Sequence, residues 1–441
     1  MALPIIAVVG RPNVGKSTLF NKLVGQRLSI VEDTPGVTRD RIYAKVEWQN
    51  RFATLIDTGG IEPYSNDIIL SQMRRQAQIA IDSADVIIFV VELNAGITAA
   101  DSEIASMLKK SGKPIILCVN KCDSIGEPPL AFYEFYNLCL GDPIAVSSVH
   151  GHGTGDLLDE AFALLPAVDE EEYPEDYIKV AVIGKPNVGK SSLVNRLAGE
   201  ERVIVSDIAG TTRDAVDTVI ENEFGKFVFI DTAGIRRQKK VDEAIEKYSV
   251  LRSYMAVERS DVCVIMIDAE VGFTEQDSKV AGYAHEQGKA CIIAVNKWDA
   301  IEKDDKTMRE FENKLSVDFA FMPYAPFIFI SAKTGQRVNK LYEMICYVRE
   351  QNCRRIQTGL LNDMLAEATA KVQPPSDKGK RLKIYYITQA AACPPTFVCF
   401  VNNDELFHFS YQRYIENQIR ATFGLTGTPI KMISRERGDD K

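Results

Sequence analysis

Two short stretches of this chain have the residue types and spacing to cradle phosphate groups. Gly10, Arg11, Pro12, Asn13, Val14, Gly15, Lys16, Ser17 and Thr18 form one. Gly184, Lys185, Pro186, Asn187, Val188, Gly189, Lys190, Ser191 and Ser192 form the other. Both fit G-x-x-x-x-G-K-S. The glycines let backbone N–H groups wrap phosphate oxygens at the positive end of the helix that follows. Lys16 and Lys190 would reach the β/γ-phosphates, and the hydroxyls of Ser17 and Ser191 would ligate Mg²⁺. Asp57 and Asp231 open D-T-x-G stretches, where a carboxylate can hold Mg²⁺ through water and Gly60 or Gly234 can meet the γ-phosphate. Thr38 and Thr212, in polar loops before these aspartates, could close over the same ion when triphosphate is present.

The base is specified elsewhere. Asn120-Lys121-Cys-Asp123 and Asn296-Lys297-Trp-Asp299 are N-K-x-D stretches, each after an apolar run. An aspartate there accepts two N–H bonds from guanine N1 and N2, and adenine offers no such pair. A site built to bond those groups rejects a base lacking them by large factors, up to ~10⁴. Ser147-Ser148 and Ser331-Ala332-Lys333 would complete the two pockets. An ATP-driven nucleic-acid motor conflicts with both N-K-x-D stretches.

Catalysis is less plainly written. Ile61 and Ile235 follow D-T-x-G, where Ras-like proteins keep a water-orienting glutamine. Slow intrinsic turnover is the expectation. Asn13 and Asn187 read either as turn-stabilising asparagines or as ligands of a monovalent cation near the β/γ-phosphates. Arg236–Lys240 follows the second D-T-x-G alone, and with Lys378–Lys383 it reads as a solvated run or a phosphate-contacting patch.

The elements that must position these residues are duplicated. The phosphate loop, the T-R-D stretch and D-T-x-G recur displaced by 174 residues, and N-K-x-D by 176. Each half alternates apolar strand runs with amphipathic helices, so each reads as an α/β P-loop domain with a mostly parallel sheet. In the first half the strands are expected at 5–9, 52–57, 86–91, 115–120 and 144–147. The motifs follow strands, where open α/β sheets bind ligands. Residues 1–165 form the first such domain and 177–352 the second. Residues 166–176, with six acids and two prolines in eleven positions, form a solvated linker. Residues 353–441 read as a small α+β domain in the order αββαβ: a helix over 356–371, strands at 382–388 and 396–401, a helix over 411–423 and a strand at 430–434. Gly424-Leu-Thr-Gly427 fits G-x-x-G, but it follows the last helix and reads as its C-cap and turn.

Composition sets the broad class. With 46% hydrophobic and 26% charged residues the chain is an ordinary globular protein rather than a disordered one. No apolar run is long enough to span a bilayer. Met1–Val9 lack a basic flank and a cleavage site and read as a strand, so a cytoplasmic monomer without membrane contact is expected. The nine cysteines lack metal-ligand spacing and read as thiols in a reducing compartment. The net charge of −9 is uneven: from Gln351 onward there are 13 basic and 9 acidic residues. An acidic body with a basic tail suits a polyanionic partner touched at one end.

The paired G-x-P-N-V-G-K-S, P-G-x-T-R-D, D-T-x-G and N-K-x-D stretches, with the basic αββαβ tail, resemble the bacterial Der (EngA) family. The likeness covers essentially the whole chain. It implies two tandem G domains, a KH-like C-terminal domain packed between them, and GTP hydrolysis acting as a switch in assembly of the large (50S) ribosomal subunit. GTP or GDP with Mg²⁺ would be the bound species, and the subunit with its rRNA, besides regulatory proteins, the partners. It also implies K⁺ dependence, with Asn13 and Asn187 as K⁺ ligands. The first pocket has Val149 where the second has Lys333, so the two can clamp the base differently. A nucleotide-gated RNA or protein scaffold with incidental hydrolysis is the alternative.

Overall fold

The computed structural model describes residues 4–25, 43–59, 73–74, 76–78, 80–81, 84–124, 126–166, 173–174, 176–199, 217–230, 245–302, 304, 306–377 and 380–436. The chain divides into two compact units, Met1–Glu172 and Tyr173–Lys441.

The first unit runs β1 (Ile5–Gly10), α1 (Lys16–Val24), β2 (Tyr43–Trp48), β3 (Arg51–Asp57), β4 (Val86–Glu92), α2 (Ala99–Lys110), β5 (Ile115–Asn120), β6 (Ile144–Ala145) and α3 (Thr154–Leu164). Its sheet has the order β2-β3-β1-β4-β5-β6. All six residues of β1 are buried, because a central strand of β-branched residues is covered on both faces. Leu19, Leu23, Leu157 and Phe162 of α1 and α3 pack with Val8, Leu55 and Val90 of the sheet in one core.

Sequence periodicity does not disclose β2. This strand pairs antiparallel with β3 through Val46–Ala53 and Trp48–Arg51, so the sheet is mixed at that edge. The hairpin turns through Gln49 and Asn50, both at positive φ (48° and 61°). Such a two-residue turn is normally announced by glycine, which is absent here. β6 is shorter than the apolar run suggests, because Ser147 and Ser148 already turn away into the base-side loop.

The second unit begins with the same plan: β7 (Tyr177–Ile183), α4 (Lys190–Gly199), β8 (Thr218–Asn222), β9 (Gly225–Ile230), α5 (Ile245–Arg259), β10 (Val262–Asp268), α6 (Glu275–Glu286), β11 (Ala290–Asn296), α7 (Thr307–Asp318), β12 (Phe327–Phe329) and α8 (Val338–Cys353). Read from its antiparallel edge, its sheet is β8-β9-β7-β10-β11-β12, the strand order of the first unit. Of the linker, residues 167–172 and 175 lie outside the described residues. Its end is tied down by Asp176, which pairs with Lys226 at 2.8 Å.

The tail adds α9 (Thr358–Lys371), a two-residue hairpin of β13 (Ser376–Asp377) and β14 (Lys380–Arg381), then β15 (Ile384–Ala391), β16 (Thr396–Val401), α10 (Phe409–Phe423) and β17 (Lys431–Glu436). Apart from the hairpin this is the expected αββαβ order. β15 pairs antiparallel and β17 parallel with β16. Leu361 and Leu365 of α9 join Ile415 and Ile419 of α10 over Ile387 and Phe397 of the sheet.

Gly424-Leu-Thr-Gly427 closes α10, as expected, with Gly424 N–H donating to Arg420 O at 2.9 Å. It also docks the tail on the second G domain. Gly427 N–H donates to Tyr324 O at 2.8 Å, and Gly427 O accepts from Cys291 N–H at 2.7 Å. Leu425 and Thr428 are fully buried. The Arg420 guanidinium lies 4.7 Å from the Tyr324 ring centroid. Cys353 at the end of α8 and Cys393 are joined in a disulfide. That corrects the reading of all nine cysteines as thiols: a pair 40 residues apart leaves no spacing signature, and only the fold brings them together.

Candidate guanine-nucleotide sites

Each phosphate loop leaves a buried central strand and enters a helix. In the first, Asn13 and Gly15 take positive φ (68° and 93°); in the second, Asn187 and Gly189 do the same (63° and 102°). The alternation bends the backbone so that successive N–H groups line a concave nest at the N-termini of α1 and α4. A Cβ on Gly15 or Gly189 would collide with the side-chain amide of Asn120 or Asn296. Glycine is required there because the phosphate loop touches the base-side loop at that point. The Asn13 and Asn187 side chains stand exposed on the loop rims.

Lys16 Nζ donates to Gly10 O and Arg11 O at 2.7 and 2.8 Å. Lys190 Nζ donates to Gly184 O and Lys185 O at the same two distances. Both lysines are 7% exposed. Burial lowers each to about 8, opposed by the Asp57 charge at Lys16 and by the Asp277 charge at Lys190. At neutral pH each loop therefore presents a fixed, poorly hydrated cation. Ser17 Oγ donates to Asp57 Oδ2 at 2.7 Å, and Asp57 Oδ1 accepts Gly59 N–H at 2.9 Å. A hydroxyl and a carboxylate so placed beside the loop are hard oxygen donors that fit Mg²⁺ sharing phosphate oxygens.

The base side is built by asparagine. Asn120 Nδ2 donates to Val14 O at 2.7 Å, and its Oδ1 accepts Ser148 N–H at 3.0 Å and Ser148 Oγ–H at 2.7 Å. Asn296 repeats the two backbone bonds, to Val188 O at 2.8 Å and from Ala332 N–H at 2.9 Å. Alanine at 332 cannot supply the third bond. Ser147 Oγ donates to Asp123 Oδ1 at 2.6 Å and fixes that carboxylate's orientation. Lys121 and Lys297 sit at positive φ (65° and 61°). Their amines are held by acids: Glu92 at 3.0 Å for Lys121, Asp268 at 2.6 Å for Lys297. Val149, opposite Lys333 in the duplicated plan, is 68% exposed.

The structure thus brings together, in each half, the phosphate loop, the N-K-x-D stretch and the Ser147-Ser148 or Ser331-Ala332-Lys333 stretch. Thr38, Gly60, Ile61, Thr212, Asp231, Gly234, Ile235 and the run 236–240 lie outside the described residues, as do 378 and 379 of the basic stretch in the tail.

Sequence reasoning missed two supports. Thr98 and Asp101 form a capping box on α2, and Thr274 and Asp277 form one on α6. Asp101 is fully buried, with Oδ2 3.7 Å from Arg11 Nε of the phosphate loop. Asp277 is equally buried, which pushes its carboxyl above the ordinary carboxylate range despite Lys185 and Lys190 nearby. Glu92 bridges Lys121 and Arg11, the latter at 3.6 Å, and so links base loop to phosphate loop. The signal was present: T-x-x-D recurs at the displacement of 176 shown by N-K-x-D.

Comparison with known proteins agrees with this layout. Residues 5–121 and 179–297 match the family model described as a 50S ribosome-binding GTPase. Residues 355–435 match the C-terminal KH-domain-like model of EngA bacterial GTPase enzymes. A protein named GTPase Der from Acetivibrio thermocellus is 66% identical over 437 residues, covering 99% of each chain. Those of Ruminiclostridium cellulolyticum and Lachnospira eligens are 64% and 60% identical over the same length and the same shares.

Proposed function

The chain belongs to the GTPase Der family, and on that premise we propose that both G domains bind and hydrolyse GTP and together switch the protein on and off the large ribosomal subunit during its assembly. The chain is a GTP-hydrolysing enzyme with two tandem G domains and a KH-like domain. The observation that carries the two-site reading is the near-identity of the two constellations. Each has a buried lysine turned onto its own loop and an asparagine tying that loop to the base side.

In this mechanism water attacks the γ-phosphorus in line, the bond to the β–γ bridging oxygen breaks, and the leaving charge falls on the GDP side. Lys16 and Lys190, with the loop N–H groups, neutralise that charge. Ser17 with Asp57 and Thr38, and Ser191 with Asp231 and Thr212, would hold Mg²⁺, which when bound would supply charge neutralisation to the triphosphate. Gly60 and Gly234 contact the γ-phosphate. Asn13 and Asn187 would hold K⁺, which when bound would supply the positive charge that a glutamine or arginine helps to provide elsewhere. Asp123 and Asp299 read guanine, and Ser147-Ser148 and Ser331-Ala332-Lys333 complete the pockets. The family model's ribosome-binding description and the basic tail support the large subunit and its rRNA as partner. Among the described residues no helix is long and apolar enough to cross a membrane, which suits a cytoplasmic role.

The test is sedimentation with large subunits in a non-hydrolysable GTP analogue and in GDP. Binding in the analogue alone, weakened by Lys16→Ala or Lys190→Ala, is expected; equal binding in both nucleotides contradicts the switch. Hydrolysis should be faster in K⁺ than in Na⁺, and equal rates would remove the asparagine assignment.

A further inference from the structure

Between Lys121 and Lys179 the sequence holds no lysine or arginine, although the whole chain carries 52. The same stretch holds 13 aspartates and glutamates. Seven of these acids lie on the base-side edge of the first G domain, which is built by the loop after Asp123, the outer strand β6 and α3, and the other six lie in the linker. The matching stretch of the second domain, around α7, carries Lys303, Lys306, Arg309 and Lys314, so the bias belongs to the first domain alone.

An apolar surface lies within this acidic edge. The 3₁₀ helix Leu130–Leu138 buries Phe132, Phe135 and Leu138 and leaves Leu130, Tyr133 and Tyr136 88%, 52% and 46% exposed. The two tyrosine rings stack at 6.4 Å with planes 7° apart. A surface helix that is apolar on two sides calls for a cover. Beside it lies a cavity of about 530 Å³, bounded by Pro128 just before this helix and Phe132 on it, Ile144 of β6, His152 just before α3 and Asp156 in its first turn. Glu127, Glu134, Asp142 and Asp156, on the segments that bound it, are exposed.

We propose that this face docks a lysine- or arginine-rich segment of a protein partner, with an apolar side chain seated in the cavity. Leu130, Tyr133 and Tyr136 cover the apolar part, and the carboxylates pair with the cations. Complementary charge selects this occupant. A polyanion such as RNA is repelled by the exposed carboxylates, which outnumber the nearby cation Lys22 beside Gly151. A second copy would present the same acidic face across a two-fold interface, where like charges oppose. The cavity wall includes Cys122 and Ser124, which flank Asp123. A docked segment therefore presses on the loop proposed to read guanine, and its arrival changes nucleotide release from the first site.

The test uses the full-length protein and a short fluorescent peptide of lysine, leucine and phenylalanine, followed by anisotropy. Its controls are the same peptide with glutamate for lysine, oligolysine, and poly-uridine RNA. Expected is saturable binding of the first peptide, weaker binding of oligolysine and none of the glutamate peptide. The triple variant L130S/Y133S/Y136S should weaken binding at least tenfold. E127Q/E134Q/D142N should weaken it several-fold and flatten its salt dependence, whereas E170Q/E171Q/E172Q in the linker should change it less than twofold. Retained binding of a fluorescent GDP at both sites shows that the variants are folded. The peptide should alter GDP release from the wild type and not from the triple variant. Equal affinity of all variants, equal affinity for oligolysine, or an equal loss in the linker variant overturns the proposal. So does RNA binding, or self-association, that the triple variant abolishes.

Discussion

Truncating the asparagine of each N-K-x-D stretch should harm the two sites unequally. Asn120→Ala removes three buried bonds: Val14 O loses its donor, and Ser148 N–H and Ser148 Oγ lose their acceptor. Asn296→Ala removes two, at Val188 O and Ala332 N–H. Each such group is worth about 1 kcal/mol net, more where water cannot enter. The costs are then about 3 kcal/mol for the first site and about 2 kcal/mol for the second. At about 1.4 kcal/mol per decade these become losses of about 100-fold and 30-fold in GDP affinity. The losses fall on binding because phosphate loop and base loop are no longer braced before the nucleotide arrives. The assay is calorimetric titration of GDP into each single variant, where the intact site serves as internal reference. Ser148→Ala should account for the difference, costing about 1 kcal/mol at the first site alone. Losses below threefold for both asparagine variants would refute the idea that these bonds hold the sites open for guanine nucleotide.

Burial holds Lys16 and Lys190 at about 8, below the 10.5 of free lysine, and bound phosphate pulls the protons back. GDP binding should therefore take up protons above pH ~8 and lose about tenfold affinity per pH unit per site, measured in buffers of different ionisation heat; constant affinity to pH 9 contradicts it. For the nucleotide-free protein the sign is opposite: the unfolded lysines hold more protons between about 8 and 10.5, so urea unfolding should show stability rising through that window. Gly427→Ala places a methyl group into Val348 at φ 74° and should cost about 1–3 kcal/mol, read as earlier unfolding of the tail. Gly359→Ala in α9, with no atom within 4 Å of the new methyl, should be neutral or stabilising by up to about 1 kcal/mol, and an equal loss at both positions would refute the docking assigned to Gly427.

The fold was most legible where burial on both faces writes continuous apolar runs. Ile5–Val9, Val86–Val91 and Ile115–Asn120 are strands at nearly their expected limits. The sites were legible because each needs several motifs at fixed distances, and the duplication repeats them. Three kinds of feature stayed hidden. The edge strand β2 has one covered face and a turn through Gln49-Asn50 that lacks the usual glycine. The Cys353–Cys393 pairing and the docking of Gly424–Gly427 on Tyr324 and Cys291 depend on packing between parts distant in sequence. The acids under the phosphate loops, Asp101 and Asp277, look like ordinary helix caps until Arg11 and Lys185 are found above them.

Two working GTPase sites in one chain would each release one phosphate per turnover. Phosphate released in a single turnover counts them: the protein is loaded with GTP without Mg²⁺, freed of unbound nucleotide, and started by adding Mg²⁺ in K⁺ buffer. Two phosphates per chain from the wild type, and one from each of Lys16→Ala and Lys190→Ala, are predicted. One phosphate from the wild type, or an unchanged count in either variant, would mean that the two sites do not both hydrolyse GTP.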